Sequence, residues 1–128
     1  MRKSLCFALL AGLAALLAAP AVFADAPPKG DPAQGQSLFQ EHCMACHSLD
    51  ANRVGPMLGT VYGRKAGTVP DFNYSPAVKA SGVTWNAVTI DKWLSGPQSF
   101  IPGQRMNFSI DDAQKRADII AYLKSLKK

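Results

Sequence analysis

The segment Cys43-Met44-Ala45-Cys46-His47 constrains this chain more than any other part of its sequence. Two thiols separated by two residues and followed at once by an imidazole form an attachment site for a covalent haem. The two sulfurs can add to the two vinyl groups of one porphyrin, and the histidine is then placed to ligate the iron. A structural disulfide, a redox dithiol and a zinc site compete with that reading. Zinc takes four ligands, commonly as two separated pairs, whereas residues 25–128 offer Cys43, Cys46, His47 and His42 crowded into one short segment. A dithiol oxidoreductase is expected beside a strand-helix-strand unit, and no such pattern is present. Haem attachment is therefore the favoured reading.

The N-terminal region sets the compartment. Arg2 and Lys3 precede an apolar run, and Val22 and Ala24 stand where a signal peptidase reads small residues, which predicts a signal peptide over 1–24 cleaved between Ala24 and Asp25. Leu5 to Ala24 is also about long enough to cross a bilayer, so an uncleaved anchor is the alternative; Pro20 and the alanine-rich second half favour cleavage. Residues 25–128 then form one small domain, delivered to the periplasm. Cys6 leaves with the signal, so the two remaining cysteines both lie in the motif. In an oxidising compartment a lone pair would be a disulfide unless consumed by something else.

Without Arg2 and Lys3, the 14 lysines and arginines become 12, which against 9 acidic residues leaves a net charge of +3. That is too little, and too scattered, for nucleic acid, which asks for a clustered basic face.

The pattern of the remainder is all-α. Asp31 reads as a helix cap, with Pro32 at the first helical position and Gln34 completing a capping box; the helix runs to His42, buries Leu38 and Phe39, and delivers the motif at its end. Residues 48–82 carry Gly55, Pro56, Gly59, Gly63, Gly67, Pro70 and Pro76, too many breakers for a long helix. So long an irregular stretch is unusual in a compact domain, and a buried haem would organise it. A short helix is expected from Thr84 or Trp85 to Ser95, with Ala87, Ile90, Trp93 and Leu94 on one face and Gly96-Pro97 as its stop. A loop over 98–108 follows. Ser109 is expected to cap the last helix, with Asp111 and Asp112 in its first turn and Lys124, Lys127 and Lys128 at its end; Ala113, Ala117, Ile120 and Leu123, beside Ile119 and Leu126, form its buried stripe.

The sixth iron ligand decides what such a haem does. An open position can bind substrate, whereas methionine closes the iron and raises its potential. Met44 sits between the attachment cysteines and cannot reach the opposite face of the ring. Met57 follows His47 by ten residues, close enough that packing explains it better. Met106 lies in a loop stiffened by Pro102 and open to close approach at Gly103, and is the favoured ligand. His42 is expected to be a surface side chain.

These residues bring the chain to a known family: it resembles a class I cytochrome c of the mitochondrial and soluble bacterial kind. The resemblance rests on Gly35-Gln36-Ser37-Leu38-Phe39, the Cys43–His47 motif, Val54-Gly55-Pro56, Tyr62-Gly63-Arg64-Lys65-Ala66-Gly67, Gly82-Val83-Thr84-Trp85, Ile101-Pro102-Gly103-Gln104-Arg105-Met106 and Ile119-Ile120-Ala121-Tyr122-Leu123. It implies a small all-α cytochrome c fold around one haem c, with thioethers from Cys43 and Cys46 and axial ligation by His47 and Met106. It further implies that the Pro56 carbonyl accepts from the His47 ring, that Arg64, Tyr74 and Trp85 surround the propionates, and that Phe39 and Tyr122 join the terminal helices.

Departures from the family pattern are as informative. Trp93 replaces a tyrosine that approaches the methionine sulfur, Gln104 replaces a threonine, and Val78 stands at a common asparagine position. Around the haem edge, His42, Gln98 and Ser99 stand where mitochondrial members carry lysines, leaving mainly Arg53 and Arg105. We expect a monomeric single-electron carrier with no small-molecule substrate, shuttling between membrane or periplasmic donor and acceptor proteins. A haem enzyme with a weak sixth ligand and a haem subunit bound permanently to a dehydrogenase are the alternatives.

Overall fold

The computed structural model describes residues 28–128. The expected signal peptide lies outside the described residues, and among them no helix is long and apolar enough to cross a membrane. Among the described residues five helices follow in order: α1 (Pro32–His42), α2 (Pro76–Ala80), α3 (Ala87–Ser95), α4 (Pro97–Phe100) and α5 (Ala113–Ser125). Among the described residues the extended pairing is limited to one antiparallel bridge between Lys65 and Thr84, which bears out the all-α expectation.

The terminal helices form the frame. Phe39 of α1 and Ile119 of α5 are both 1% exposed, and the Phe39 and Tyr122 rings meet at 5.5 Å between centroids. Gly35 allows this approach: a Cβ there would overlap the Asp118 carbonyl group on α5. The Asp31 carboxylate caps α1 by accepting from the Ala33 amide at 2.8 Å. Gln34, however, does not complete a capping box. The Asp31 amide instead donates to the buried Asp118 carboxylate at 2.8 Å, a charge-assisted partner supplied by α5 that outcompetes a neutral glutamine.

Several boundaries differ from expectation, each for a local reason. α3 begins at Ala87, because Asn86 takes the cap and forms a box with Thr89; Trp85 is instead paired through its backbone amide to the Arg64 carbonyl at 2.9 Å. Ala87 is consequently exposed, while Ile90 and Leu94 are buried. α3 ends at Ser95 as expected, but the loop expected over 98–108 is shortened because Pro97 opens α4, since proline suits a first helical position. The same logic at Ser75-Pro76 makes α2, inside the stretch expected to be irregular. α5 is capped by Asp112, not Ser109. Ile110 is held extended by donating to the Leu94 carbonyl at 2.8 Å, so the helix cannot start earlier, and Ala113 is left exposed.

Candidate haem-attachment site

Cys43 is the C-cap of α1, and the amides of Cys46 and His47 both donate back to its carbonyl, at 3.1 and 2.9 Å. One tight turn therefore carries both sulfurs and the imidazole. Cys43 is partly buried and Cys46 exposed, and neither sulfur is taken up in a disulfide. Before haem is attached, burial, with the nearby Cys46 second, pushes the Cys43 thiol up to about 11.

His47 is oriented from below. Its Nδ1 lies 2.8 Å from the Pro56 carbonyl oxygen, and because a carbonyl only accepts, Nδ1 carries the proton and Nε2 keeps its lone pair free. Burial holds the imidazole below its ordinary pKa, partly offset by the Pro56 bond. The neutral ring that a metal requires is thus favoured. Gly55 lies flat against this ring, where a Cβ would overlap it, and the Gly55 amide donates to the Cys46 carbonyl at 2.8 Å. The short turn after the motif thereby supports the ring on one side.

A second cluster forms across the bridge. Arg64 is fixed by donating to the Thr60 hydroxyl at 3.0 Å and the Met57 carbonyl at 3.1 Å, yet its Nε is buried with no partner. Burial also lowers its pKa, with Tyr74 acting in the opposite direction. The Tyr74 hydroxyl accepts from the Val69 amide at 3.3 Å, which leaves its proton to donate. Trp85 is buried and tied to Arg64 through the backbone. The structure joins Arg64 to Trp85 through the backbone, with Tyr74 close enough to act on the Arg64 charge.

Met106 is partly buried and packs against the core, as is Met57. The Met57 carbonyl is committed to Arg64. Trp93 sets its ring edge-on to Trp85 at 5.3 Å, and Val78 is buried in α2. His42 departs from expectation: it is not a free surface side chain. Its ring lies 6.1 Å from Phe108, and its Nε2 is buried without a hydrogen bond, 3.7 Å from the Glu41 carboxylate, because the last turn of α1 faces the loop that carries Met106. Sequence reasoning also missed Asp118, whose place among apolar neighbours on α5 gave no sign of its partner on Asp31.

The donor set fits a porphyrin. Two thiols stand four and one residues before an imidazole whose Nε2 is free, and the unpartnered Arg64 Nε with the Tyr74 hydroxyl suits an anionic rim. Fold and site together define a small helical domain built to hold haem covalently.

Comparison with known proteins agrees. The model of the cytochrome c family matches residues 32–127. Cytochrome c2 of Rhodopila globiformis is 46% identical over 106 residues, covering 80% of this chain and 99% of that protein; cytochrome c2 of Rhodomicrobium vannielii is 43% identical over 104 residues, covering 78% and 82%. Among solved structures, cytochrome cH from Methylobacterium extorquens superposes with a TM-score of 0.72 at 44% identity, covering 75% of this chain and 99% of that one. The chain belongs to the cytochrome c family. It carries covalently bound haem c, for which Cys43 and Cys46 fit the attachment motif, and it is an electron carrier working with redox partners, not an enzyme.

Proposed function

We propose that this protein is a monomeric periplasmic shuttle, released by cleavage between Ala24 and Asp25, that carries one electron at a time on an iron held by His47 and Met106, with thioethers at Cys43 and Cys46. The observation that carries this reading is His47 itself: Nδ1 committed to Pro56 at 2.8 Å, Nε2 free, on the same turn as both sulfurs. When bound, the haem supplies a reversible one-electron change of iron oxidation state. The chain's own residues do the rest. His47 is kept neutral and in one orientation by burial and Pro56. Arg64, held by Thr60 and Met57, keeps a buried Nε–H without a partner, which would suit a haem propionate. Met106 would supply the second protein ligand to the iron, which would raise its potential and deny it to substrates.

The test is ligand exchange. The reduced wild-type holoprotein should resist carbon monoxide at neutral pH, while Met106→Ala should bind it rapidly and show a lower potential. Rapid stoichiometric binding by the wild type, or an unchanged spectrum in Met106→Ala, would reject the ligand assignment. Intact-mass analysis of the periplasmic fraction should find a chain beginning at Asp25 plus one haem. Size exclusion should give a single-chain mass, and a chain retained in the membrane fraction would reject the shuttle reading.

A further inference from the structure

We propose that Gln104 is a positioning residue for Met106, forming with Gln98 a two-amide latch that holds the methionine loop shut. The inference rests on Met106 being the second axial ligand. It starts from the turn Ile101-Pro102-Gly103-Gln104, closed by the Gln104 amide donating to the Ile101 carbonyl at 3.2 Å. Gly103 has φ +90, so proline and glycine occupy the two central positions that a type II turn assigns them. The turn delivers Gln104 inward, where it is 7% exposed.

The buried amide is used at both ends. Its Oε1 accepts the backbone N–H of Met106, and its Nε2 donates to Gln98 Oε1 at 3.2 Å. The orientation is forced, because a backbone N–H can only donate. Oxygen must therefore face Met106, nitrogen must face Gln98, and Gln98 must answer with its own oxygen. Gln98 lies on α4, so the latch fastens the Met106 backbone to a helix. The flanking support is weaker: Arg105, exposed, reaches only the Asn73 carbonyl, at 3.4 Å. The threonine typical of this position has a single oxygen and a shorter reach, whereas a glutamine can span both partners at once.

A latch of this kind sets how often the methionine leaves the iron. Losing one net hydrogen bond is worth up to roughly a tenfold change in an equilibrium, and loop opening is the step an outside ligand must wait for. The experiment is imidazole binding to the ferric holoprotein, followed by titration and stopped flow. Gln104→Leu should bind imidazole roughly tenfold more tightly and reach a higher limiting rate. Gln98→Leu should move the same way by a few-fold, and Gln98→Glu, which keeps an acceptor for the Gln104 amide, should stay near wild type. Gly35→Ala, which disturbs the terminal helices without touching the loop, supplies the baseline for general loosening.

Wild-type imidazole affinity in both leucine variants overturns the latch, as does an equal rise in Gly35→Ala. If Gln104→Leu does not retain haem, the Gln98 pair decides alone, and equal affinities in Gln98→Leu and Gln98→Glu overturn it. The ligand assignment is judged separately, from the spectrum of Met106→Ala.

Discussion

Arg64 shows how one side chain can be structural and functional at once. Two of its three guanidinium nitrogens donate to Thr60 and Met57, while the third, Nε, is buried and unpaired, a state that is costly unless an acceptor faces it. Under the proposed function Arg64 is a cation beside the haem, and would oppose the extra positive charge of the ferric state. Arg64→Leu should therefore lower the reduction potential, by roughly tens of millivolts on a Coulomb estimate, which a spectroelectrochemical titration would measure; an unchanged or raised potential would place Arg64 away from the haem. The family pattern pointed to Arg64, but the sequence held no sign that Thr60 and Met57 secure it. Likewise Gln104 stood out as a departure, yet only the fold brings its two partners, Gln98 and Met106, within reach.

At the scale of elements, the terminal helix pair depends on a glycine. Helix propensity alone would make Gly35→Ala stabilising by about 1 kcal/mol, but the new Cβ would overlap the Asp118 backbone. Overpacking against rigid backbone costs more than that, so a net loss of roughly 2 kcal/mol is expected in denaturant unfolding. The start of α5 adds a pH dependence. Asp112 accepts from the amides of Gln114 at 2.8 Å and Lys115 at 3.0 Å, and its carboxyl is held below the usual range, mainly by the Lys115 amide. Its stabilisation is therefore complete above the unfolded-chain value near 4 and is lost as pH falls through the lower folded value. Asp112→Asn should reduce stability near neutrality, with the gap to wild type narrowing in acid. These caps also mark the limits of reading elements from sequence. Asp31-Pro32 was legible because cap and first-turn residue act locally, whereas Ser109 and Asp112 are comparable caps and only the Ile110–Leu94 bond chose between them.

At the scale of the whole molecule, charge governs encounter with partners. Residues 25–128 carry a net charge of only +3. His42, Gln98 and Ser99 replace the lysines expected near the haem edge, and His42 is turned partly inward against Phe108. Arg53 is drawn to the Met44 carbonyl at 2.9 Å, so even this cation is partly committed. Electron exchange with a natural partner should therefore depend weakly on ionic strength, falling by less than about tenfold between 0.01 and 0.15 M salt, where the Debye length shrinks from about 30 to 8 Å. A steeper fall in stopped-flow rates would show that a basic face steers docking after all.

The sequence by itself determined the attachment chemistry, the all-α class and the order of the three main helices, because each depends on neighbours close along the chain: Cys43 to His47 act within one turn, and cap residues act on amides two or three positions away. Tertiary structure decided what joins distant residues. Asp118 captures the Asp31 amide across the helix pair, Asn86 rather than Thr84 starts α3 because Trp85 is tied to Arg64, and Gln104 reaches Gln98 and Met106 from inside a turn. Each of these is a hydrogen bond chosen among several partners of similar strength, and only the packing of the chain brings one of them within reach.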